Sequence, residues 1–245
     1  MRNRYGTMRR GGPGLRRADV SGPVTGRSVA IPPSTGPNAA DPTAMNAAPP
    51  ATSAATPLQV VSVNTATAVA WQWNGRRVMS AIGKRPRTGP VAVGPLGLEG
   101  DEQADLSVHG GLSKAVYAYP AGHYAFWQTV RAQARVSLWD EPLPPGSLGE
   151  NLTVAGLDEA ALWIGDRLVL PGCVLVVSEP RTPCFKFGAA MGFVQAVKLM
   201  AQSGYCGAYL AVAQPGTVQA GDAITLVPGP REVGLRELFR ARARP

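Results

Sequence analysis

Glycine and proline interrupt this chain too often for long helices to dominate it. They make up 29 and 23 of its 245 residues. Inside a helix a proline costs about 3 kcal/mol, and a glycine about 1 kcal/mol, relative to alanine. A helical bundle or coiled coil is therefore excluded, and short strands joined by many turns fit better. No apolar run approaches the ~18 residues of a membrane span. Three cysteines, none spaced C-x-x-C, make no disulfide framework, so a reducing cytoplasm is the expected compartment.

The formal net charge of +8 is unevenly placed. Residues 1–57 hold seven Arg and two Asp, and residues 231–245 hold five Arg and two Glu. Residues 58–230 balance twelve Lys or Arg against twelve Asp or Glu. The excess thus lies in the tails, which touch polyanions only weakly. No nucleic-acid-binding motif sits on a basic face, so no specific nucleic-acid partner is expected.

Three regions follow. Residues 1–57, with nine Pro and seven Gly, bury too little apolar surface to offset an ordering entropy of ~1–2 kcal/mol per residue. A disordered, low-complexity tail is expected there. Arg9-Arg10 lacks the apolar stretch of a twin-arginine signal; a translation start at Met45, or a passive extension, is the simpler expectation. Residues 58–230 read as the folded domain. Residues 231–245 leave room for one short helix, Leu235–Arg242.

Within the domain, strands are expected at Leu58–Val63, Ala66–Trp73, Arg76–Ile82, Val91–Val93, Asn151–Val154, Arg167–Leu170, Val174–Ser178, Ala208–Ala213 and Ile224–Val227. Asn74-Gly75 marks a hairpin. Helices are expected at Ala121–Arg135, with Tyr124, Trp127, Val130 and Ala134 on one stripe, and at Gly192–Ser203, stopped by Gly204. Gly165-Asp166 and Gly221-Asp222 open similar turn-then-strand units. The fold class is mainly β, a β-barrel with a few helical inserts.

Four clusters could carry chemistry. Asp101, Asp105, His109-Gly110-Gly111 and Lys114 form the first. Its glycines would let a ligand approach closely, but a hairpin loop whose His satisfies a backbone group is the stronger reading of the spacing. Gly146-Ser147-Leu148-Gly149-Glu150-Asn151 is a tight loop that could offer N–H groups to an anion; a plain turn into the Asn151 strand fits better. Arg181-Thr182-Pro183-Cys184-Phe185-Lys186 sets a thiol beside two cations, which favour the thiolate. Read as extended, it would put residues 184 and 186 on one face. A reactive and a structural Cys184 are equally compatible with this pattern. Cys173 and Cys206, in apolar strands, read as inert core thiols. Lys84-Arg85-Pro86-Arg87 is a solvated loop unless the fold brings it to Cys184. His109, His123 and the three cysteines show no zinc-ligand pairing.

Taken in order, Asn74-Gly75, Lys84, Gly100-Asp101 with Asp105, His109-Gly110-Gly111 with Lys114-Ala115-Val116, Gly149-Glu150-Asn151, Gly165-Asp166 and Pro180-Arg181 with Pro183-Cys184-Phe185-Lys186 resemble the MOSC domain. That module is related to the C-terminal part of molybdenum cofactor sulfurases, and the resemblance is to its stand-alone bacterial, YiiM-like form. It runs from about Leu58 to about Glu237. Ser113-Lys114 stands where many relatives have Asp-Lys. The small helical domain usual after the barrel has only Arg231–Pro245 as its counterpart.

The resemblance implies a β-barrel that binds the molybdenum cofactor, molybdopterin, with Cys184 on or near the metal. It implies His109 and Lys84 as catalytic partners of Cys184. Arg181, Lys186, Gly110, Gly111, Lys114, Gly149, Glu150 and Asn151 become the cofactor shell. Pyridoxal phosphate is a further ligand it allows, and a homodimer a further assembly. The implied reaction is detoxifying reduction of small N-hydroxylated compounds, such as hydroxylaminopurines, to amines. Electrons would come from an external reductase protein, since no flavin, nicotinamide or iron–sulfur motif is visible. The alternative is a carrier that holds a persulfide or the molybdenum cofactor on Cys184. In both cases the thiol is expected in a cationic cleft at the barrel mouth.

Overall fold

Turn chemistry decides where each strand begins. The structure is a computed structural model that describes residues 56–243, apart from Asn74 and residues 106–109. The expected disordered tail, up to residue 55, and His109 lie outside the described residues. The strands are β1 (Gln59–Thr65), β2 (Val69–Trp73), β3 (Arg76–Ser80), β4 (Arg85–Pro86), β5 (Val91–Gly94), β6 (Gly97–Leu98), β7 (Val116–Pro120), β8 (Leu152–Ala155), β9 (Arg167–Val169), β10 (Val174–Pro180), β11 (Ala208–Gln214), β12 (Gly216–Val218) and β13 (Thr225–Val227). The helices are α1 (Tyr124–Gln133), α2 (Phe185–Met191), α3 (Ala196–Ser203) and α4 (Leu235–Ala243). None of the described helices is long and apolar enough to cross a membrane.

Eight strands pair in the order β13-β9-β10-β11-β7-β8-β1-β4. Every neighbour is antiparallel except β7 and β8, which run parallel through Ala118↔Leu152. A three-stranded sheet, β12-β5-β6, and the β2-β3 hairpin complete the β content. The hairpin register Trp73↔Arg76, with Gly75 at φ 74°, fits the turn read from the sequence. The two Gly-Asp units also match in detail. Asp166 and Asp222 each accept the backbone N–H three residues before them, from Trp163 and Gln219, at 2.9 Å. The strands that follow, β9 and β13, pair with one another.

The expected closed barrel is not formed by the described ladders. One isolated bridge, Gln59↔Ala223, joins β1 to the segment before β13. Around it, Gly221 N–H donates to the Val60 carbonyl at 2.8 Å and Val60 N–H to the Asp222 carbonyl at 2.9 Å, but among the described residues no strand ladder joins β1 to β13. What the described residues form is a mainly β fold with few helices.

Side-chain alternation divides the core between the two faces of the large sheet. On one face Val116 and Ala118 of β7, Leu175 and Val177 of β10, and Leu210 of β11 pack with Val91, Val93 and Val218 of the small sheet. On the other, Tyr117, Tyr119 and Tyr209 pack with Trp127 of α1, Phe187 and Met191 of α2, and Met200 of α3. The helix stripe differs from expectation at one position: α1 buries Trp127 and Ala132, while Ala134 is exposed. The second face carries the site.

Candidate active site

β10 ends at Pro180, and the chain crosses the sheet edge as Arg181-Thr182-Pro183-Cys184. Pro183 holds Thr182 away from helical geometry. Cys184 is still extended (φ −126°, ψ 172°), and α2 begins at the next residue. The extended reading of residues 184–186 is therefore corrected: Phe185 and Lys186 are helical. The reason is tertiary. Helical turns let α2 bury Phe187, Gly188 and Met191 against α1 and α3, burial that the two prolines upstream do not oppose. Cys184 and Lys186 nevertheless line one cleft, with Lys84, Asp101, Gly110, Lys114, Tyr117, Gly149, Asn151, Arg181 and Tyr209 on its walls. Cys184 is partly buried.

Arg181 is 4% exposed. It donates to the Leu148 carbonyl at 2.9 Å and to the Tyr117 hydroxyl at 3.5 Å. Its guanidinium lies over the rings of Tyr117, at 4.9 Å, and Phe187, at 5.1 Å. Burial opposes its charge, but attraction to Tyr117, Tyr209 and Cys184 outweighs burial and pushes its pKa up. That attraction is mutual, so the buried cation favours negative charge on the sulfur.

Lys84 reaches the same cleft from the loop after β3. Its ammonium pairs with the Asp101 carboxylate, both side chains being under a tenth exposed. Asp101 Oδ1 also accepts the Ala66 N–H at 2.9 Å, and its Oδ2 accepts Asn151 Nδ2 at 2.9 Å. Asn151 Oδ1 takes the Tyr117 N–H of β7 at 3.0 Å. Burial pulls the Lys84 pKa below its usual value, and Asp101 only partly offsets this. The run Lys84–Arg87 thus divides: Lys84 is buried in the cleft, while Arg85 and Arg87 are exposed.

The 146–151 loop turns out to be filled from within. Glu150, fully buried, accepts Gly146 N–H at 2.8 Å, Leu148 N–H at 3.2 Å and the Thr153 hydroxyl at 2.7 Å, and it also accepts the Tyr124 hydroxyl. Ser147 N–H and Gly149 N–H bond to Pro144 and Gly146 carbonyls. Four successive amides are committed inside the protein, so this loop presents no anion nest. Glu150 stands behind the cleft wall; Gly149 and Asn151 are on it. Gly110 lines the cleft, and Gly111, at φ 79°, precedes the short 3-10 turn Leu112–Lys114 that delivers Lys114 to it.

Cys173 and Cys206 are buried, as expected. Burial pushes the Cys173 thiol up to about 11 and raises that of Cys206 still further. Sequence reasoning gave no role to Tyr117 and Tyr209, which line the cleft, and it singled out Asp101 only as part of a loop cluster, without its pairing to Lys84. The alternating tyrosines of Val116-Tyr117-Ala118-Tyr119 were the available signal for a strand turning one polar-tipped face toward a site. The expected cationic cleft is also corrected. Lys84, Lys114, Arg181 and Lys186 share it with Asp101, Glu102 and Asp105, so it is mixed in charge.

The protein is thus a mainly β domain that presents Cys184 in a charged cleft lined by Tyr117 and Tyr209. The chain belongs to the MOSC-domain family, whose model matches residues 105–225. YflK of Bacillus subtilis (strain 168) is 39% identical over 168 residues, 69% of this chain and 72% of that protein. YiiM of Escherichia coli (strain K12) is 35% identical over 158 residues, 64% and 68% of the two chains. A Gibberella moniliformis protein named "Reductase" is 36% identical over 173 residues, covering 69% of this chain and 30% of its own length. Among solved structures, YiiM from Geobacillus stearothermophilus superposes with a TM-score of 0.60 at 29% identity, covering 77% of this chain and 85% of that one.

Proposed function

We propose that the protein is a molybdenum-cofactor-dependent reductase of N-hydroxylated compounds. The observation that carries the reading is the cleft itself, which sets the Cys184 thiol, the buried Arg181 cation and the buried Lys84 ammonium around one space. The donor set fits the group. Thiolate suits a soft, thiolate-rich metal centre. Lys114 and Lys186 are suited to a phosphate, and Arg181, whose own hydrogen-bond partners are neutral, attracts negative charge to the sulfur. The Gibberella relative named "Reductase" supports the reaction class.

When bound, the cofactor supplies a metal centre that carries two electrons. The overall change is R–NHOH + 2e⁻ + 2H⁺ → R–NH₂ + H₂O, with electrons from an external reductase. Cys184 would hold the group through its thiolate sulfur. Lys84 gives a proton to the oxygen as the N–O bond breaks, a task favoured by a lysine whose pKa is lowered toward neutrality.

The test is anaerobic reduction of a hydroxylaminopurine by metal-loaded protein with an artificial donor. Wild type turns over. Cys184→Ala loses metal and activity by more than the roughly 10–100-fold typical of a metal site's outer partners. A Cys184→Ala variant of full activity overturns the reading. A persulfide on Cys184, with neither metal nor turnover, replaces it with the sulfur-carrier alternative.

A further inference from the structure

We propose that Asp101 is the positioning residue for Lys84, clamping the lysine ammonium at the cleft wall as the proton donor. This rests on the reading of Lys84 given above.

The geometry is that of a braced carboxylate. Oδ1 meets both the Lys84 ammonium and the Ala66 N–H, and Oδ2 is fixed by Asn151 Nδ2. Asn151 is itself tied to β7 through the Tyr117 N–H and to β1 through the Asn64 carbonyl, at 3.2 Å. Asp101 therefore cannot swing without breaking bonds to three separate segments. The Lys84 backbone is held as well: its N–H donates to the Ile82 carbonyl at 2.9 Å, and its carbonyl packs so near Gly146 that a Cβ there would stand 2.7 Å away. Side-chain exposures of 8% for Lys84 and 4% for Asp101 leave little water to solvate either charge. An ammonium that deep keeps its proton only beside a negative group.

Other charges act on it less directly. Glu150, behind the wall, favours the charged form, and Arg181 opposes it. Glu102, Asp105, Lys114, Lys186 and Cys184 line the same cleft, as do the phenols of Tyr117 and Tyr209. Asp101 is the group in contact, and it supplies the charge and the direction together.

The experiment is trace labelling of lysines with acetic anhydride across pH, on the full chain, with peptide mass spectrometry and exposed Lys198 as internal standard. Only the unprotonated amine reacts, so the labelling midpoint reports when Lys84 loses its proton. Asp101→Asn is expected to lower that midpoint by about one pH unit or more. The alkaline limb of the reduction rate should move down with it, because the protonated lysine is the active form. Asp101→Glu, which restores the charge, is expected to return both toward wild type. Asp101→Ser is the second neutral variant if the Asn form does not fold. Midpoints unchanged in the neutral variants, with folding intact, overturn the proposal. A shifted midpoint in a protein that reduces no N-hydroxylated compound overturns the reductase reading while leaving the Asp101–Lys84 clamp standing.

Discussion

Single residues show how tightly the cleft is braced. Gly146 sits at φ 86°, and a Cβ added there would stand 2.7 Å from the Lys84 carbonyl oxygen. Gly146→Ala thus meets both a left-handed backbone and a backbone clash, and is expected to cost about 1–3 kcal/mol. Urea denaturation reads the loss, and an unchanged midpoint would disprove the contact. Glu150→Gln is expected to cost a similar 1–3 kcal/mol, since an amide cannot accept from every donor that the carboxylate serves. At this scale the sequence was partly legible. Cys173 and Cys206 could be set aside from their apolar neighbours, and Cys184 singled out by its cations. Glu150 could not be placed correctly, because nothing local says that an acid in a Gly-Ser loop will turn inward and bind that loop's own amides.

Elements were legible where turn residues or a clear alternation mark them. β2-β3 and β9 announced themselves through turn residues and alternation. β7 was missed: all five of its residues are buried, and the tyrosine tips of Val-Tyr-Ala-Tyr-Pro were the one sign that its two sides differ. α2 was missed because its seven residues follow two prolines, and helical propensity in so short a segment is weak beside tertiary packing. That packing gives a prediction. Phe187 is wholly buried, 5.2 Å from the Trp127 ring and under the Arg181 guanidinium. Phe187→Ala is expected to cost about 3–5 kcal/mol, read as a lowered thermal midpoint. Because α2 starts at the residue after Cys184, reactivity of that thiol toward a maleimide should change in the same variant, whereas Phe185→Ala, at an exposed position, should leave stability nearly unchanged.

For the molecule as a whole, the interior holds several acids that must stay neutral. Burial raises the pKa of Tyr117, Tyr119, Tyr124 and Tyr209, and of the thiols of Cys173 and Cys206. Each folded-state pKa lies above its unfolded value, so the stability each contributes is present below about pH 9–10 and lost as pH rises further. Lys84, lowered by burial, acts in the opposite sense up to its ordinary 10.5, one group against six. The urea midpoint should therefore hold from pH 7 to 9 and fall steeply by pH 10.5. A midpoint flat to pH 11 would show that these side chains are solvated. The mainly β class was readable from glycine and proline frequency, and the family from the order of its short motifs. Sheet closure was not, because it depends on how β1 meets the distant segment before β13, a contact no local pattern encodes.

The self-satisfied 146–149 turn bears on how the phosphate of the proposed cofactor would be held. Rigid amide cradles tolerate salt because their dipoles are preset and sheltered. With those amides already occupied, capture falls to lysine tips reaching across an open, partly wetted hollow, where mobile counter-ions compete over a screening distance of about 8–10 Å. Retention of a phosphate-bearing guest should weaken as sodium chloride is raised, so a low-salt buffer throughout purification is expected to preserve any loaded form.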